Sequence, residues 1–192
     1  MKIISKHGKY LWLISLFIGN IAFATTTQDE VLELLYKHFP TDAVPAIAGN
    51  IAVESGFDYL KRNEGGGDYG LFQFNFQLSY YKTWLSENKK EDSAENQILF
   101  VKAVIYSDDP PMELGGAKYK LRSGLGSPKL DVKEKTTLFM EVYEKPSKQY
   151  SHLDRRIAIA REISITPTPT PPTPPPPSQA LPPLIQPHQG RR

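Results

Sequence analysis

The sequence predicts an α+β domain, mostly helical, with one small β-hairpin. Three observations carry this. Six stretches place apolar residues at helical spacing behind cap or proline signals. Between the second and third of them, a glycine-rich segment from Asn63 to Gly70 leads into Leu71 to Phe76, where Leu, Phe, Gln, Phe, Asn and Phe alternate as in a strand or hairpin. Flanking segments of non-globular composition leave residues 25–165 as the folded unit, which is large enough to bury a continuous core without staples.

The first helix is predicted from Thr27 and Glu30, which have capping-box spacing, and from the stripe Val31, Leu32, Leu34, Leu35 and Phe39; it should run to His38 and end at Pro40. Thr41 or Asp42 is expected to cap the second, with Pro45 in its first turn, where proline removes no helical hydrogen bond. Glu54 closes that helix before Ser55 and Gly56. A short helix over Leu78–Ser86 turns Tyr81, Trp84 and Leu85 to one side. Ser93 opens the next, in which Ile98, Leu99, Val101, Val104 and Ile105 predict the central buried helix; Asp108 to Pro111 stop it. Met112 to Lys129 shows no usable periodicity, because glycines interrupt it. Asp131 with Glu134 opens a helix through Tyr143, with Leu138, Phe139 and Val142 inward, and Ser151 with Asp154 opens the last, over Arg155–Ile163.

Residues 1–24 read as a signal peptide: Lys2, Lys6 and Lys9 precede an apolar run from Tyr10 to Phe23, and Ala22-Phe23-Ala24 has the small-residue pattern of a cleavage site. The run is shorter than the roughly 20 residues that span a bilayer, so no stable membrane insertion is expected after cleavage, and the chain should be secreted or periplasmic. Residues 166–192 hold 11 of the chain's 17 prolines and read as a disordered polyproline tail. Three lysines lie in the first segment and two arginines at the tip of the tail, with no acid in either, so the formal +2 of the whole chain becomes −3 for the domain. That balance argues against nucleic acid as a partner. Cysteine is absent, which excludes disulfides and thiolate metal sites. His38 and His152, the histidines of the domain, lack metal-binding spacing and read as surface residues; neither metal nor cofactor is expected.

Glu54 lies three positions after Ile51 and seven after Ile47, on the face those residues would bury. Burial disfavours the charged form of a carboxyl and prepares it to give a proton near neutral pH. The glycine-rich turn brings a second acid, Asp68, back toward the same opening, with Glu64 in reserve.

Helix, Glu-Ser-Gly-Phe, glycine-rich loop and Gly-Leu-Phe-Gln-Phe follow one another here as in the lysozyme-like superfamily, which this chain resembles. More narrowly it resembles the phage tail lysozyme family, with Gly49, Asn50, Glu54, Ser55 and Gly56 matching the helix motif and Phe139, Tyr143, Glu144, Lys145 and Pro146 a late aromatic-Glu-Lys-Pro signature. It departs from that family after Gln73, where Phe74, Asn75, Phe76 and Gln77 replace the usual Trp and a later Arg. The resemblance implies a lysozyme-like fold with a small β-hairpin region beside the catalytic helix. It implies a monomeric enzyme acting on peptidoglycan glycan strands, cleaving the MurNAc-GlcNAc β-1,4 bond with Glu54 as general acid. Asp68 would position water or act electrostatically, unless it is only a turn residue. Gln73 would bind substrate amides or brace the β-region, Tyr69 and Phe72 would stack on sugar rings or belong to the core, Tyr143 would line the cleft, and Glu144 would form a structural salt bridge. Two rival readings are a lytic transglycosylase giving 1,6-anhydro products and a non-catalytic wall-binding component of a secretion or phage-like apparatus. A buried acid has no use in the last. No serine stands in a nucleophile elbow, and Gly65 to Gly67 neither follow a strand nor open a Lys-Ser/Thr helix.

Overall fold

A computed structural model describes residues 26–63, 65, 67–146 and 151–166. The residues read as a signal peptide, Glu64, and the residues from 167 onward read as a tail lie outside the described residues. Within them the chain is mostly helical: α1 (Gln28–His38), a 3-10 turn (Thr41–Ala43), α2 (Val44–Glu54), α3 (Gln77–Glu87), α4 (Ala94–Tyr106), α5 (Ala117–Leu125), α6 (Val132–Phe139), a π-helical turn (Met140–Glu144) and α7 (Leu153–Ile165). No described helix is long and apolar enough to cross a membrane.

Side-chain caps set three of the seven helix starts among the described residues. Thr27 and Asp131 each form the full capping box, with the side chain accepting from the backbone at Glu30 and Glu134 and those glutamates accepting in return; Ser93 accepts from the Asn96 N–H. Two expected caps do not form. The 3-10 turn occupies Thr41 and Asp42, so α2 starts behind Ala43 with no side-chain cap, its Pro45 in the first turn. At α7 the N-cap position is His152, in the left-handed region at φ 42°, and it too makes no side-chain cap bond.

The most buried helix is α2, in which every residue from Val44 to Ile51 is buried, and it packs against α1, α6 and α7. The sequence expectation gave that place to α4. Ile98, Val101, Val104 and Ile105 are indeed sealed, but Leu99 is only half buried, because α4 packs on α1, α3 and α5 and keeps one side open. The unread segment 112–129 contains α5.

Among the described residues no strand forms where the hairpin was expected. Two isolated antiparallel bridges, Arg62 with Tyr69 and Tyr69 with Phe74, hold the segment instead. Gly70 at φ 80° and Gln73 at φ 45° both enter the left-handed region, which breaks an extended run of this length into a tight turn. Alternation fails with it: Leu71, Phe72, Gln73 and Phe74 are all buried, and Phe76 is exposed.

Candidate active site

Glu54, the last residue of α2, stands at a cleft of about 640 Å3. One wall is the turn segment, through Lys61, Asn63, Asp68, Gln73, Asn75, Phe76 and Gln77, and the other is the end of the π-turn and the start of α7, through Glu144, Lys145, Pro146, His152 and Arg156.

The helix wall is built around Arg156, a guanidinium buried to 1 % exposure. Its Nη1 donates to Asn50 Oδ1 at 3.0 Å and its Nη2 to Glu54 Oε1 at 2.5 Å, while its Nε donates to the Ser151 carbonyl at 2.7 Å. Asn50 and Glu54 are four residues apart and therefore neighbours on one helix face, so a single guanidinium reaches both. Asn50 is held in turn: its Nδ2 donates to the carbonyls of Ala46 at 2.8 Å and Thr136 at 3.2 Å, joining α2 to α6. The Glu54 side chain keeps 18 % exposure toward the cleft. Its surroundings are thus an ion pair at an opening, in place of the apolar pocket its sequence phase implied.

Glu144 departs further from expectation. Among the described residues the salt bridge foreseen for it does not form: its Oε1 is buried and has no hydrogen-bond partner. Burial, and secondarily the negative charge of Glu54, push its carboxyl well above the usual carboxylate range, with Arg156 pulling the other way.

The turn wall is fixed from α4. Gln97 Oε1 accepts from the Leu71 N–H at 2.8 Å, and its Nε2 donates to the Tyr59 carbonyl at 2.9 Å and to Asp92 Oδ1 at 3.1 Å. Asp92 also accepts from the hydroxyls of Tyr69 and Tyr81. Burial and those bonds to Asp92 raise both phenols, so each keeps its proton and remains a donor. Beneath the wall, Phe72 stacks among Phe74, Phe139 and Tyr143 at centroid distances of 5.8, 6.3 and 6.0 Å.

Of the residues expected to bind substrate, Tyr69, Phe72 and Tyr143 are therefore core residues. Their rings anchor the wall from behind and none lines the cleft, because each is needed to bury the turn against α4, α6 and the π-turn. Gln73 and Asp68 do line it. Gln73 Nε2 donates to the carbonyls of Gly70 at 2.8 Å and Lys61 at 3.4 Å, which braces the turn, while its Oε1 is buried without a partner. Asp68 accepts from Asn63 Nδ2 at 3.2 Å and Asn75 Nδ2 at 2.5 Å, one bond to each carboxylate oxygen. The exposed aromatic at the cleft is Phe76, with 55 % of its surface open. Sequence reasoning passed over Phe76 and Arg156; the signal for Arg156 was a charged residue on the inward face of α7, one position before Ile157. His152, read as a surface histidine, is exposed but sits at the rim. No cluster of metal-ligating side chains occurs among the described residues.

A carboxylate at a helix end, set by a buried guanidinium and faced by a turn carrying a second carboxylate and an unpartnered amide oxygen, is equipped to protonate a leaving oxygen on a polar polymer. Among curated proteins and among solved structures, nothing matches the chain. A protein-family model does, over residues 26–164, which take in both walls of the cleft and every helix described above except the last residue of α7, and on that match the chain belongs to the phage tail lysozyme family.

Proposed function

We propose that this protein is a secreted muramidase that cleaves the MurNAc-GlcNAc β-1,4 bond of peptidoglycan, with Glu54 as general acid. Family membership supports a peptidoglycan-degrading, lysozyme-like enzyme. The observation that carries the residue assignment is Glu54 itself, a carboxylate at the cleft opening whose one oxygen is held by Arg156 while the side chain stays open to a ligand. Asp68, across the cleft, orients the attacking water or stabilises the oxocarbenium-like sugar as the bond breaks. Gln73 Oε1 offers an acceptor to the N–H of a substrate acetamido group, since a buried acceptor without a partner gains most from a ligand donor. Phe76 supplies an apolar surface for a sugar ring. The N-terminal leader composition supports delivery outside the cytoplasm.

One observation favours the lytic transglycosylase as a second reading. Both Asp68 oxygens are already engaged by asparagine amides, and a reaction in which the sugar's own 6-hydroxyl attacks requires no second carboxylate to activate water. Mass analysis of fragments released from peptidoglycan separates the two. Glu54→Gln should lower turnover by about 100-fold or more under either mechanism, with glycan binding kept. Asp68→Asn should cost about 100-fold in a hydrolase and only a few fold in a transglycosylase, whose products are lighter by one water. Full turnover in Glu54→Gln would refute the assignment of the acid.

A further inference from the structure

Phe76, the open aromatic of the turn wall, is also the N-cap residue of α3, and its backbone is already helical at φ −62° and ψ −25°. Ser79, Tyr80, Thr83, Trp84 and Glu87 follow it at intervals of three, four, seven, eight and eleven residues, so all six share one helix face. The Ser79 hydroxyl donates to the Phe76 carbonyl at 3.2 Å across the first turn of that face. The other face is committed to the core: Gln77 and Tyr81 are buried, and the Tyr81 ring meets Phe74 and Phe100 at centroid distances of 5.1 and 5.4 Å. Burial on that side fixes what this one presents. Ser79, Tyr80, Thr83, Trp84 and Glu87, closed by Pro111 from the loop after α4, line a second groove of about 270 Å3. Tyr80 keeps 48 % of its surface open, and among the described residues neither its ring nor its hydroxyl has a partner. Trp84 is held by Tyr81 and Phe100, with centroids 6.4 and 5.9 Å away, and by the Lys90 ammonium at 5.8 Å, so it forms a fixed wall of the groove.

We propose that this face of α3 extends the substrate site: a β-1,4 glycan strand held at Phe76 continues along the helix over Tyr80 and into the groove beside Trp84. This rests on the reading of the protein as a peptidoglycan glycosidase. Phe76 and Tyr80 stand one helical turn apart, about 5–6 Å between their Cβ atoms, so successive sugars of one strand can lie on successive aromatics. A pyranose presents C–H groups on its face, which pack on an aromatic ring, and hydroxyls at its edge. The Ser79 and Thr83 hydroxyls and the Glu87 carboxylate, on the same face, supply bonding partners for those hydroxyls. Glu87 is the one charged side chain lining the groove among the described residues. Its charge favours the neutral sugar rings over the acidic peptide stems of the wall polymer, which a carboxylate repels. The occupant is therefore the glycan strand itself, continuous with the part held in the cleft.

The test is kcat/KM of the whole chain on peptidoglycan glycan strands of graded length. Long strands should be cleaved more efficiently than short fragments that fill the cleft alone, and Tyr80→Ala should lower that long-to-short ratio by about tenfold. Tyr80→Phe keeps the ring and should restore most of the ratio. An unmodified chain without length preference overturns the proposal, and so does an equal loss on long and short substrates in Tyr80→Ala. Binding supplies the second measurement. In the full chain carrying Glu54→Gln and Trp12→Phe, Trp84 is the only tryptophan, so its emission reports on the groove. A soluble β-1,4-linked N-acetylglucosamine oligomer should shift that emission, with Kd raised about tenfold by Tyr80→Ala. An emission that the oligomer does not move overturns the proposal, as does a chain whose self-association is what Tyr80→Ala removes, since the face would then belong to a second copy. Release of no fragments from peptidoglycan would remove the reading beneath the proposal and the extension with it, whereas an active chain indifferent to strand length refutes the extension alone.

Discussion

A Cβ on Gly49 would lie 2.5 Å from the Arg156 carbonyl oxygen and 2.8 Å from the Ala160 Cβ, so glycine is what lets α2 and α7 approach as closely as they do. That approach is also what lets the Arg156 guanidinium reach Asn50 and Glu54. Gly49→Ala should therefore destabilise the domain by about 1–3 kcal/mol, read from denaturant unfolding, as overpacking at a helix contact does. The change should also lower peptidoglycan turnover beyond what the lost stability explains, because it displaces the residue that holds the acid. At this scale the sequence was legible where the cause was local. Glu54 was placed at the end of its helix by phase and by the Ser-Gly break. Its partner lies 102 residues away, and no local pattern pairs them.

Among the elements, α4 carries the plainest packing test. Ile98 is fully buried, so Ile98→Ala should cost roughly 2–5 kcal/mol in unfolding free energy. An effect below about half a kcal/mol would mean that α4 does not pack as described. The capping boxes at Thr27 and Asp131 were readable because both partners lie within one turn of chain. The segment Leu71–Phe76 was misread because alternation alone does not report backbone handedness. Its conformation comes from Gln97, whose side chain occupies the space where a Gly70 Cβ would project, 2.3 Å from Oε1, and receives the Leu71 N–H. Helix α5 was illegible for a related reason: Gly124, which a sequence reading takes as a break, lies inside it where the Leu138 side chain packs against the backbone, 2.2 Å from where a Cβ would stand.

For the molecule as a whole, the described helices and cleft account for the family match over residues 26–164. The proline-rich residues beyond lie outside the described part, and their composition predicts no share in the core. Removing residues 167–192 should leave thermal unfolding cooperative and its midpoint unchanged, and turnover on soluble glycan fragments should persist. A lowered midpoint would place part of the tail against the domain. The domain's formal charge of −3 gives it no general attraction to anionic polymers. On the proposed function, substrate recognition would fall to the polar groups of the cleft and to Phe76, the exposed phenylalanine among its described residues.

By itself the sequence determined the helical character, most helix limits and the position of Glu54 at a helix end, because caps, helical phase and proline stops act over three or four residues. Its expectations for the two flanking segments, an apolar leader and a proline-rich tail whose composition builds no core, lie outside the described residues. Only the tertiary structure decided what surrounds each carboxyl. Tyr69, Phe72 and Tyr143 went to the core because the turn had to be buried against something. Arg156 went to Glu54 and Asn50 because α7 lies on the small residues of α2. Glu144, half-buried at the end of a π-turn, was left with one oxygen, Oε1, buried and without a hydrogen-bond partner. The reason is one of range: an apolar pattern states that a face is buried, whereas the partner of a buried charge is chosen by whichever distant element packs there.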